Sequence, residues 1–229
     1  MAPDLLETWA IVVAAGEGRR LGADRPKAFV GFGGRVLLAH SVELLERHPA
    51  VDAIVLVVPA GWEEPATLVA DELAAGKVRA AVAGGPSRSE SVQAGLREVG
   101  REAGVIVVHD AARPLADADL LDRVLAGLAG GADGVVPGLP VADTIKRVRN
   151  GTVSETLERT ELRAVQTPQA FLARALRAGY ERPAAELAAA TDCAGLVESA
   201  GMTVAVVDGS PANVKLTGPE DLRLAEALL

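Results

Sequence analysis

The sequence contains little cysteine, no excess of positive charge and no long apolar run, and each absence excludes a class of protein. Its 229 residues include a single cysteine, Cys193, which excludes a disulfide framework and a cysteine-based metal site. The formal net charge of −8 argues against nucleic-acid binding, because that activity leaves a basic domain or stripe. No uninterrupted apolar stretch approaches the roughly 20 residues that span a bilayer.

The N-terminal sequence, MAPDLLETW, lacks the basic region and the long apolar region of a secretory signal peptide. Together with the lack of an apolar span, this predicts a cytoplasmic protein that binds neither a membrane nor a nucleic acid. A chain of this length is large enough for one α/β domain with a substantial core. We therefore expect residues 1–229 to form a single domain.

Lysine is scarce as well, and its few positions are informative. It occurs only at 27, 77, 146 and 215, while arginine supplies the other positive charges. Lysine provides a compact point charge, whereas arginine provides a planar fork. Lys27, Lys146 and Lys215 lie in the motifs described below, which favours a functional role for these three over that of ordinary surface residues.

Short apolar runs alternate with helical patterns along the chain. Strands are predicted at 9–14, 51–58, 78–83, 104–108 and 132–136. Apolar residues at helical spacing predict helices around 38–45, 92–99 and 121–128. Near-continuous apolar strands separated by helices are typical of a mostly parallel sheet that helices cover on both faces.

Capping residues mark the ends of two predicted helices. Asp117 or Asp119 is expected to cap the start of the helix around 121–128, and Gly130 lies near its end. Thr217 and Glu220 have the spacing of a capping box at the start of the last helix.

The alternation breaks at about 138–165, where β-branched residues surround Asn150-Gly151. This dipeptide is the strongest short-range signal of a β-hairpin. A two-stranded hairpin is marginally stable alone in water, so it needs a partner surface. We therefore predict an arm that either folds over the functional site or embraces a second subunit.

The loop after the first strand, VVAAGEGRRLGADRPKAF at 12–29, concentrates glycine and positive charge. Gly16, Gly18 and Gly22 are spaced GxGxxxG, which is one residue longer than the dinucleotide fingerprint, and no Gly-Lys-Ser/Thr follows as in a Walker loop. The cations at 19, 20, 25 and 27 exceed what a pyrophosphate on a helix N-terminus requires. The loop is therefore predicted to bind a small polyanion.

Two further strand ends carry unusual residues. Gly84 and Gly85 follow the third strand and permit close backbone approach, while Ser91 offers a hydroxyl to a base or a sugar. Asp110 directly follows the fourth strand and, taken alone, is equally well explained as a turn aspartate. Ligands bind outside the carboxyl ends of parallel strands, however, and a carboxylate opposite a cationic loop favours Mg²⁺ bound with a triphosphate.

Several motifs occur in order over nearly the full length of the chain. They are AAGEGRRLGADRPK (14–27), GGPSRSESV (84–92), HDAARP (109–114), PVADTIK (140–146), TPQAF (167–171), TDCA (191–194) and NVKLT (213–217). The first motif is shared by many sugar-nucleotide pyrophosphorylases. The ordered set resembles the 2-C-methyl-D-erythritol 4-phosphate cytidylyltransferase family and its close relative, ribitol-5-phosphate cytidylyltransferase. The chain departs from the family pattern at Ala28, where glutamine is usual, and at Cys193, where an acidic residue is usual.

The resemblance implies a fold and a reaction. The fold is a three-layer, Rossmann-like α/β nucleotidyltransferase fold with a protruding β-hairpin that serves as a dimerisation arm. In the reaction, a phosphate oxygen of a polyol phosphate attacks the α-phosphorus of CTP in line, and pyrophosphate leaves. Because this nucleophile is already an anion, no general acid or base is needed. His109 is therefore interpreted as a packing residue at a strand end, and His40 and His48 as helix surface residues.

The resemblance also implies roles for individual residues. Mg²⁺ is held by Asp110, directly or through water, and the catalytic cations are Arg20, Lys27 and Lys215. The arm of a neighbouring subunit brings Thr144 and Arg159 to the acceptor phosphate. Thr167, Thr191 and Asp192 complete the acceptor site. The residues assigned to CTP are Ala14, Ala15, Gly16, Gly18, Gly84, Gly85, Ser91, Asp110 and Ala111.

Two alternatives remain open at this point. A ribitol-5-phosphate enzyme would keep the same fold and CTP loop and differ only in its acceptor. A non-catalytic nucleotide-binding regulator would need the phosphate-binding loop without Lys27 and Asp110 facing each other across a cleft. A guanylyltransferase is disfavoured, because it would resemble the first loop but would lack the GGxxRxxSV block that is present at 84–92.

Overall fold

Strands and helices alternate along most of the chain. The computed structural model describes residues 6–16, 18 and 24–229. The helices, α1 to α8, are Leu37–Arg47, Glu63–Glu72, Arg88–Glu98, Ala118–Gly127, Ala173–Tyr180, Ala184–Ala189, Cys193–Ser199 and Pro219–Glu226. The strands, β1 to β12, are Glu7–Val13, Gly31–Phe32, Arg35–Val36, Ala53–Val58, Val78–Ala83, Ala103–Asp110, Gly134–Pro140, Lys146–Arg149, Thr152–Thr156, Arg163–Val165, Gln169–Leu172 and Val204–Asp208.

Within the described residues, eight strands form one mixed sheet. Seven of them lie in the order β10-β7-β11-β6-β1-β4-β5, and β12 pairs with β7. The pairs among β6, β1, β4 and β5 are parallel, as is the pair of β7 and β12. Strand β11 runs antiparallel to both β6 and β7 and joins these two parallel groups. The prediction of a mostly parallel sheet is confirmed, although β11 and β12 were not predicted.

Helices cover both faces of the sheet because successive strand residues point to opposite sides. In β1, Trp9 and Ile11 belong to a core cluster that α3, α5 and α7 complete. Ala10 and Val12 belong to a second cluster that packs against α1, α2 and α4. None of the helices in the described part of the chain has the length and apolarity that crossing a bilayer takes.

The five predicted strands all form; β5 has the predicted bounds, and the ends of the other four are shifted. Strands β1, β4, β5, β6 and β7 begin and end within a few residues of the predicted ranges, and β7 extends furthest, to Pro140. The predicted helices correspond to α1, α3 and α4. The predicted range 92–99 ends one residue after α3 does, because the backbone of Val99 is extended rather than helical.

The two predicted helix caps have different outcomes. Asp117 caps α4, since its Oδ1 accepts a hydrogen bond from the backbone N–H of Leu120 at 2.8 Å. The predicted Thr217–Glu220 capping box is wrong. Helix α8 begins later, at Pro219, whose missing N–H suits the first helical position. The carboxylate of Asp221, rather than of Glu220, accepts hydrogen bonds from the backbone N–H groups of Thr217 and Gly218.

The predicted hairpin is present as β8 and β9, which pair with each other in a separate two-stranded sheet. Asn150 and Gly151 both have positive φ, as a two-residue hairpin turn requires. The arm is shorter than the predicted 138–165, because Gly138–Pro140 pairs with β10 inside the main sheet. The separate hairpin exposes apolar surface on both of its strands, since Val148 and Val153 are each 56% exposed.

Two of the three histidines are less exposed than predicted. His48 is buried, with its Nε2 3.1 Å from Asp122 Oδ1, because the chain that follows α1 packs against α4. Lys77 also binds this residue, because its Nζ donates a hydrogen bond to the backbone carbonyl oxygen of His48. His40 is half-buried, with its Nε2 3.0 Å from the carbonyl oxygen of Phe32. The prediction of a helix surface residue is therefore wrong for His48, whereas His40 lies in α1 and is partly exposed.

His109, near the end of β6, is fully buried, as expected for a packing residue. Its Nδ1 lies 3.2 Å from Thr167 Oγ1, while its Nε2 has no hydrogen-bond partner among the described residues. Burial lowers the pKa of His109 to about 4, so the imidazole is neutral at pH 7.

We expect the buried His109 to make the protein less stable as the pH falls. The unfolded chain takes up a proton on this imidazole near pH 6.5, whereas the folded chain does so only near pH 4. Its stabilising contribution is therefore complete above about pH 6.5 and is lost as the pH falls through about 4. The loss is on the order of 3 kcal/mol, and urea unfolding between pH 7 and pH 4 measures it.

The variant His109→Asn keeps a polar group for Thr167 but takes up no proton. It should be less stable at pH 7 and should lose this part of the pH dependence. His40→Asn is the matched control, because it removes a half-buried histidine and leaves His109 in place. A pH dependence of unfolding that is the same in His109→Asn and in the wild-type protein would contradict the assignment.

Candidate active site

A cavity of about 560 Å³ lies where three parallel strands end. Its walls come from the chain that follows β1, β5 and β6, as expected for a ligand site in an open α/β sheet. The residues that line it are Val13, Ala14, Ala15, Gly16, Lys27, Ala28, Gly85, Pro86, Ser87, Arg88, Ser91, Asp110, Ala111, Ala112 and Lys215. The three segments predicted to form one site are thus brought together.

Gly18 holds the first loop against Lys27. Its φ of +68° belongs to the left-handed region that favours glycine. A Cβ on Gly18 would lie 2.5 Å from the Cβ of Lys27, so no other residue fits here without moving the lysine. Gly18 therefore acts on the site through the placement of Lys27, which lines the cavity.

Asp110 lies between two cations at the base of the cavity. Its Oδ1 accepts a hydrogen bond from Arg88 Nε at 2.9 Å and lies 2.8 Å from Arg88 Nη2 in the same ion pair. Its Oδ2 accepts a hydrogen bond from Lys215 Nζ at 2.7 Å. The Asp110 side chain is only 8% exposed, whereas that of Lys215 is 42% exposed and reaches solvent.

The two cations determine the protonation state of Asp110. Burial by itself would raise the pKa of this carboxyl, but the charges of Arg88 and Lys215 outweigh burial and hold the pKa well below its usual range. Asp110 is therefore ionised throughout the neutral range. With both oxygens accepting hydrogen bonds from cations, it is unsuited to act as a general base.

Arg88 is a site residue that was not predicted, although it stands within the quoted GGPSRSESV motif. It is the first residue of α3, and its guanidinium contacts Asp110 across the cavity base. Its third nitrogen, Nη1, donates to Cys193 Sγ at 3.5 Å. The hydroxyl oxygen of Tyr180 lies 3.3 Å from the same sulfur. Burial raises the pKa of the Cys193 thiol, which keeps this group neutral.

The first turn of α3 borders the cavity and is firmly capped. Ser87 and Glu90 form a reciprocal capping box, with each side chain accepting from the other residue's backbone N–H. The Ser91 hydroxyl lies within hydrogen-bond distance of the carbonyl oxygens of Ser87, at 2.9 Å, and Gly85, at 3.2 Å, and so ties α3 to the loop before it. Gly84 stands just outside the lining residues, and its N–H donates to Val58. The positive end of the helix dipole favours an anion at this wall.

Hydrogen bonds hold the segment that carries Lys215 beside the cavity. The N–H of Leu216 donates to the carbonyl oxygen of Ala112 at 2.8 Å. Arg113 Nη1 donates to the carbonyl oxygen of Asn213 at 2.7 Å. Asn213 is itself fully buried and donates from Nδ2 to the carbonyl oxygen of Thr167. This network places the lysine on Asp110 from a segment without regular secondary structure.

Thr167 lies behind the cavity rather than on its wall. It is buried, and its Oγ1 accepts a hydrogen bond from the backbone N–H of Asp110 at 3.0 Å. The peptide bond between Thr167 and Pro168 is cis. In this structure, Thr167 therefore supports Asp110 and His109 from below.

The remaining predicted residues lie elsewhere. Thr144 and Arg159 are exposed on the arm, where Arg159 donates to the carbonyl oxygen of Ala142, and neither lines this chain's cavity. Thr191 and Asp192 line a separate hollow, and Asp192 caps α7 by accepting from the backbone N–H of Gly195. Arg20 lies outside the described residues.

The donor set at the cavity suits a metal ion that arrives with its own ligands. Among the residues that the structure describes, no three His, Cys, Asp or Glu side chains gather as a ready-made metal site. Asp110 supplies a single buried carboxylate. Mg²⁺ is commonly held by one or two carboxylates together with substrate phosphates and water, so one carboxylate fits Mg²⁺ bound to a triphosphate.

Comparisons with known proteins agree with this geometry. The family model for 2-C-methyl-D-erythritol 4-phosphate cytidylyltransferase, IspD, matches residues 8–229. The 2-C-methyl-D-erythritol 4-phosphate cytidylyltransferase of Rhodococcus jostii is 48% identical over 222 residues, which cover 96% of this chain and 94% of the relative.

Solved structures of related proteins have the same fold. The crystal structure of 2-C-methyl-D-erythritol 4-phosphate cytidylyltransferase from Thermus thermophilus superposes with a TM-score of 0.76 at 33% identity, covering 97% of this chain and 98% of the other. The 4-diphosphocytidyl-2C-methyl-D-erythritol synthase of Anaerococcus prevotii gives a TM-score of 0.83 at 28% identity, covering 97% of each chain. This chain belongs to the 2-C-methyl-D-erythritol 4-phosphate cytidylyltransferase family.

Proposed function

We propose that the cavity transfers CMP from CTP to 2-C-methyl-D-erythritol 4-phosphate and releases pyrophosphate. A phosphate oxygen of the acceptor forms the new bond to the α-phosphorus of CTP. The bond from that phosphorus to the bridging oxygen of the β-phosphate breaks, and the pyrophosphate leaves with the electron pair. The observation that carries the proposal is the cationic cavity around Asp110, in a chain whose family performs this reaction.

Charge neutralisation is the main task of such a site, because two polyanions must meet and charge shifts toward the leaving group. Lys27, Arg88 and Lys215 all line the cavity, against one carboxylate from Asp110. We assign Lys27 and Lys215 to the phosphates of CTP and to the transition state. Arg20, in the same loop, is proposed to join them.

Small residues in the lining leave room for a flat base. Ala14, Ala15 and Gly16 line the cavity together with Gly85 and Ser91. We propose that these segments, with Gly18, Gly84 and Ala111 nearby, frame the cytosine and ribose of CTP. Backbone amide groups in glycine-rich segments approach a base closely, which favours a pyrimidine over a larger purine.

We propose that Asp110 holds Mg²⁺ bound with the triphosphate, directly or through water. When bound, the ion would neutralise phosphate charge and orient the leaving group. The chain's own part is to keep Asp110 ionised, which Arg88 and Lys215 do by lowering its pKa. Thr167 holds the backbone of Asp110 from below.

The arm is proposed to bind a second copy of the chain. It exposes Val148 and Val153 on a hairpin that forms a separate two-stranded sheet, and a twofold dimer would cover this surface. Thr144 and Arg159 would then reach the partner's cavity, where a guanidinium binds a phosphate bidentately. Thr191 and Asp192 are proposed to contact the acceptor hydroxyls or the loop beside them.

The organisation of the chain supports the same proposal. The described residues share one main sheet with a core on each face, in keeping with a single nucleotidyltransferase domain over 1–229. A cytoplasmic location stays a prediction. Ribitol-5-phosphate is the second candidate acceptor, because the CTP side of the cavity would be the same for both.

We expect pyrophosphate release from CTP with 2-C-methyl-D-erythritol 4-phosphate in the presence of Mg²⁺, and much less with ribitol-5-phosphate. Excess chelator should stop turnover, because it removes the ion that would neutralise phosphate charge and orient the leaving group. Preference for ribitol-5-phosphate would support the second candidate. Nucleotide binding without turnover on either acceptor would indicate a regulator, and rapid turnover in chelator would contradict the metal requirement.

We expect Lys27→Ala to lower kcat by about 10²–10³-fold, the usual effect of losing one contact to charge that develops in the transition state. Lys27→Arg should also fail, since a planar fork does not replace a point charge held against Gly18. Lys77→Ala is the matched control, because this lysine binds the carbonyl oxygen of His48 away from the cavity. An effect on KM alone would show that Lys27 binds ground state and transition state equally.

The shared site can be tested by mixing two inactive variants, Arg159→Ala and Lys27→Ala. If the arm serves the partner, each mixed dimer has one site with both changes and one with neither. Random mixing should then restore about a quarter of the wild-type sites. Arg174→Ala, which removes an exposed arginine outside the arm, is the matched control and should keep full activity. Mixed dimers that form and stay inactive would show that the arm serves its own subunit.

A further inference from the structure

Arg88 is unusual among the cavity residues because all three of its guanidinium nitrogens contact protein groups. Nε donates to Oδ1 of Asp110 at 2.9 Å, and Nη2 lies 2.8 Å from the same oxygen in the ion pair. Nη1 donates to Cys193 Sγ. The guanidinium is therefore fixed in place by neighbouring side chains, chiefly by Asp110.

The contacts of Arg88 determine which way the Asp110 carboxylate faces. Because both nitrogens bind Oδ1, the other oxygen, Oδ2, is left for Lys215 Nζ at 2.7 Å. A lysine at position 88 would offer a single point charge and would leave the carboxylate free to rotate. The planar fork of arginine is thus what orients Oδ2 toward Lys215.

A buried pair behind the cavity holds Arg88 in turn. Cys193 is fully buried at the first position of α7, and Tyr180, the last residue of α5, is 4% exposed. The sulfur accepts from Arg88 Nη1 and lies 3.3 Å from the Tyr180 hydroxyl oxygen. Helices α5 and α7 pack on the face of the sheet that α3 also covers. This pair therefore supports the guanidinium from a well-packed part of the core.

We propose that Arg88 is a positioning residue that sets Lys215 through Asp110, and that Cys193 and Tyr180 hold Arg88 in the orientation this requires. The proposal rests on the proposed role of Lys215 at the phosphates of CTP. It adds three residues, from α3, α5 and α7, to the machinery of the reaction, none of which needs to touch the substrate.

A double-mutant cycle tests whether Arg88 acts through Lys215. We expect Arg88→Lys to lower kcat by about 10²-fold, as a displacement of about 1 Å at the reacting groups does, and to change the KM for CTP by less than about threefold. In the Lys215→Ala background, the same replacement should lower kcat by less than about threefold, because the group it positions is gone. Single turnovers with radiolabelled CTP measure these slow variants.

Two variants of Cys193 test whether this residue holds Arg88 in place. Cys193→Ala removes the acceptor and should lower kcat by about tenfold, the equivalent of one hydrogen bond. Cys193→Ser restores an acceptor at the same place and should recover most of that loss. Arg97→Lys is the control on the same helix, because Arg97 is exposed and binds only the Gln93 side chain among the contacts of the described residues. It should leave kcat unchanged.

The outcomes separate the proposal from the function on which it rests. A wild-type protein that releases no pyrophosphate from CTP would overturn both. In an active enzyme, effects of Arg88→Lys and Lys215→Ala that multiply would overturn this proposal alone, as would a rise in the KM for CTP, which would place Arg88 on the substrate. If Arg88→Lys does not fold, Cys193→Ala and Cys193→Ser in the Lys215→Ala background decide the question in the same way.

Discussion

The ion pairs of Asp110 with Arg88 and Lys215 are the contacts on which the rest of the site depends. A carboxylate that is 8% exposed must be paired, and removing one partner of such a pair typically costs about 3–5 kcal/mol. Arg88 comes from the helix after β5 and Lys215 from the C-terminal segment. Folding therefore has to bring both to the end of β6 before the charge of Asp110 can be buried.

Much of this site could be predicted because its polar residues directly follow apolar strands. Ala14–Gly16, Gly85 and Asp110 each come at a strand end, and parallel strands place such ends at one edge of the sheet. Arg88 and Cys193 could not be paired by this reasoning, since they are separated by 105 positions and lie on different helices. The burial of His48 could not be predicted for the same reason, because its contact, Asp122, is 74 positions away in the sequence.

Strands β11 and β12 were not predicted, because pairing with neighbouring strands, rather than their own composition, makes them strands. Strand β11 has four residues and is a strand because it fills the gap between β6 and β7, where its side chains are largely buried. Strand β12 pairs with β7 and is only partly covered, unlike the buried strands of the sheet centre. Short strands gain their stability from neighbours, which local pattern does not reveal.

The charges around the cavity favour catalysis by position over catalysis by proton transfer. The buried His109 is neutral, and Asp110 is held ionised with both oxygens engaged, so neither is placed to move a proton. A phosphate nucleophile needs no base, because it is already an anion. The protein's remaining task is to hold cations where phosphate charge develops. Its success depends on the distances between those cations and the phosphate oxygens. Residues that position other residues, as Cys193 holds Arg88 and Arg88 holds Asp110, then become part of how such a site works.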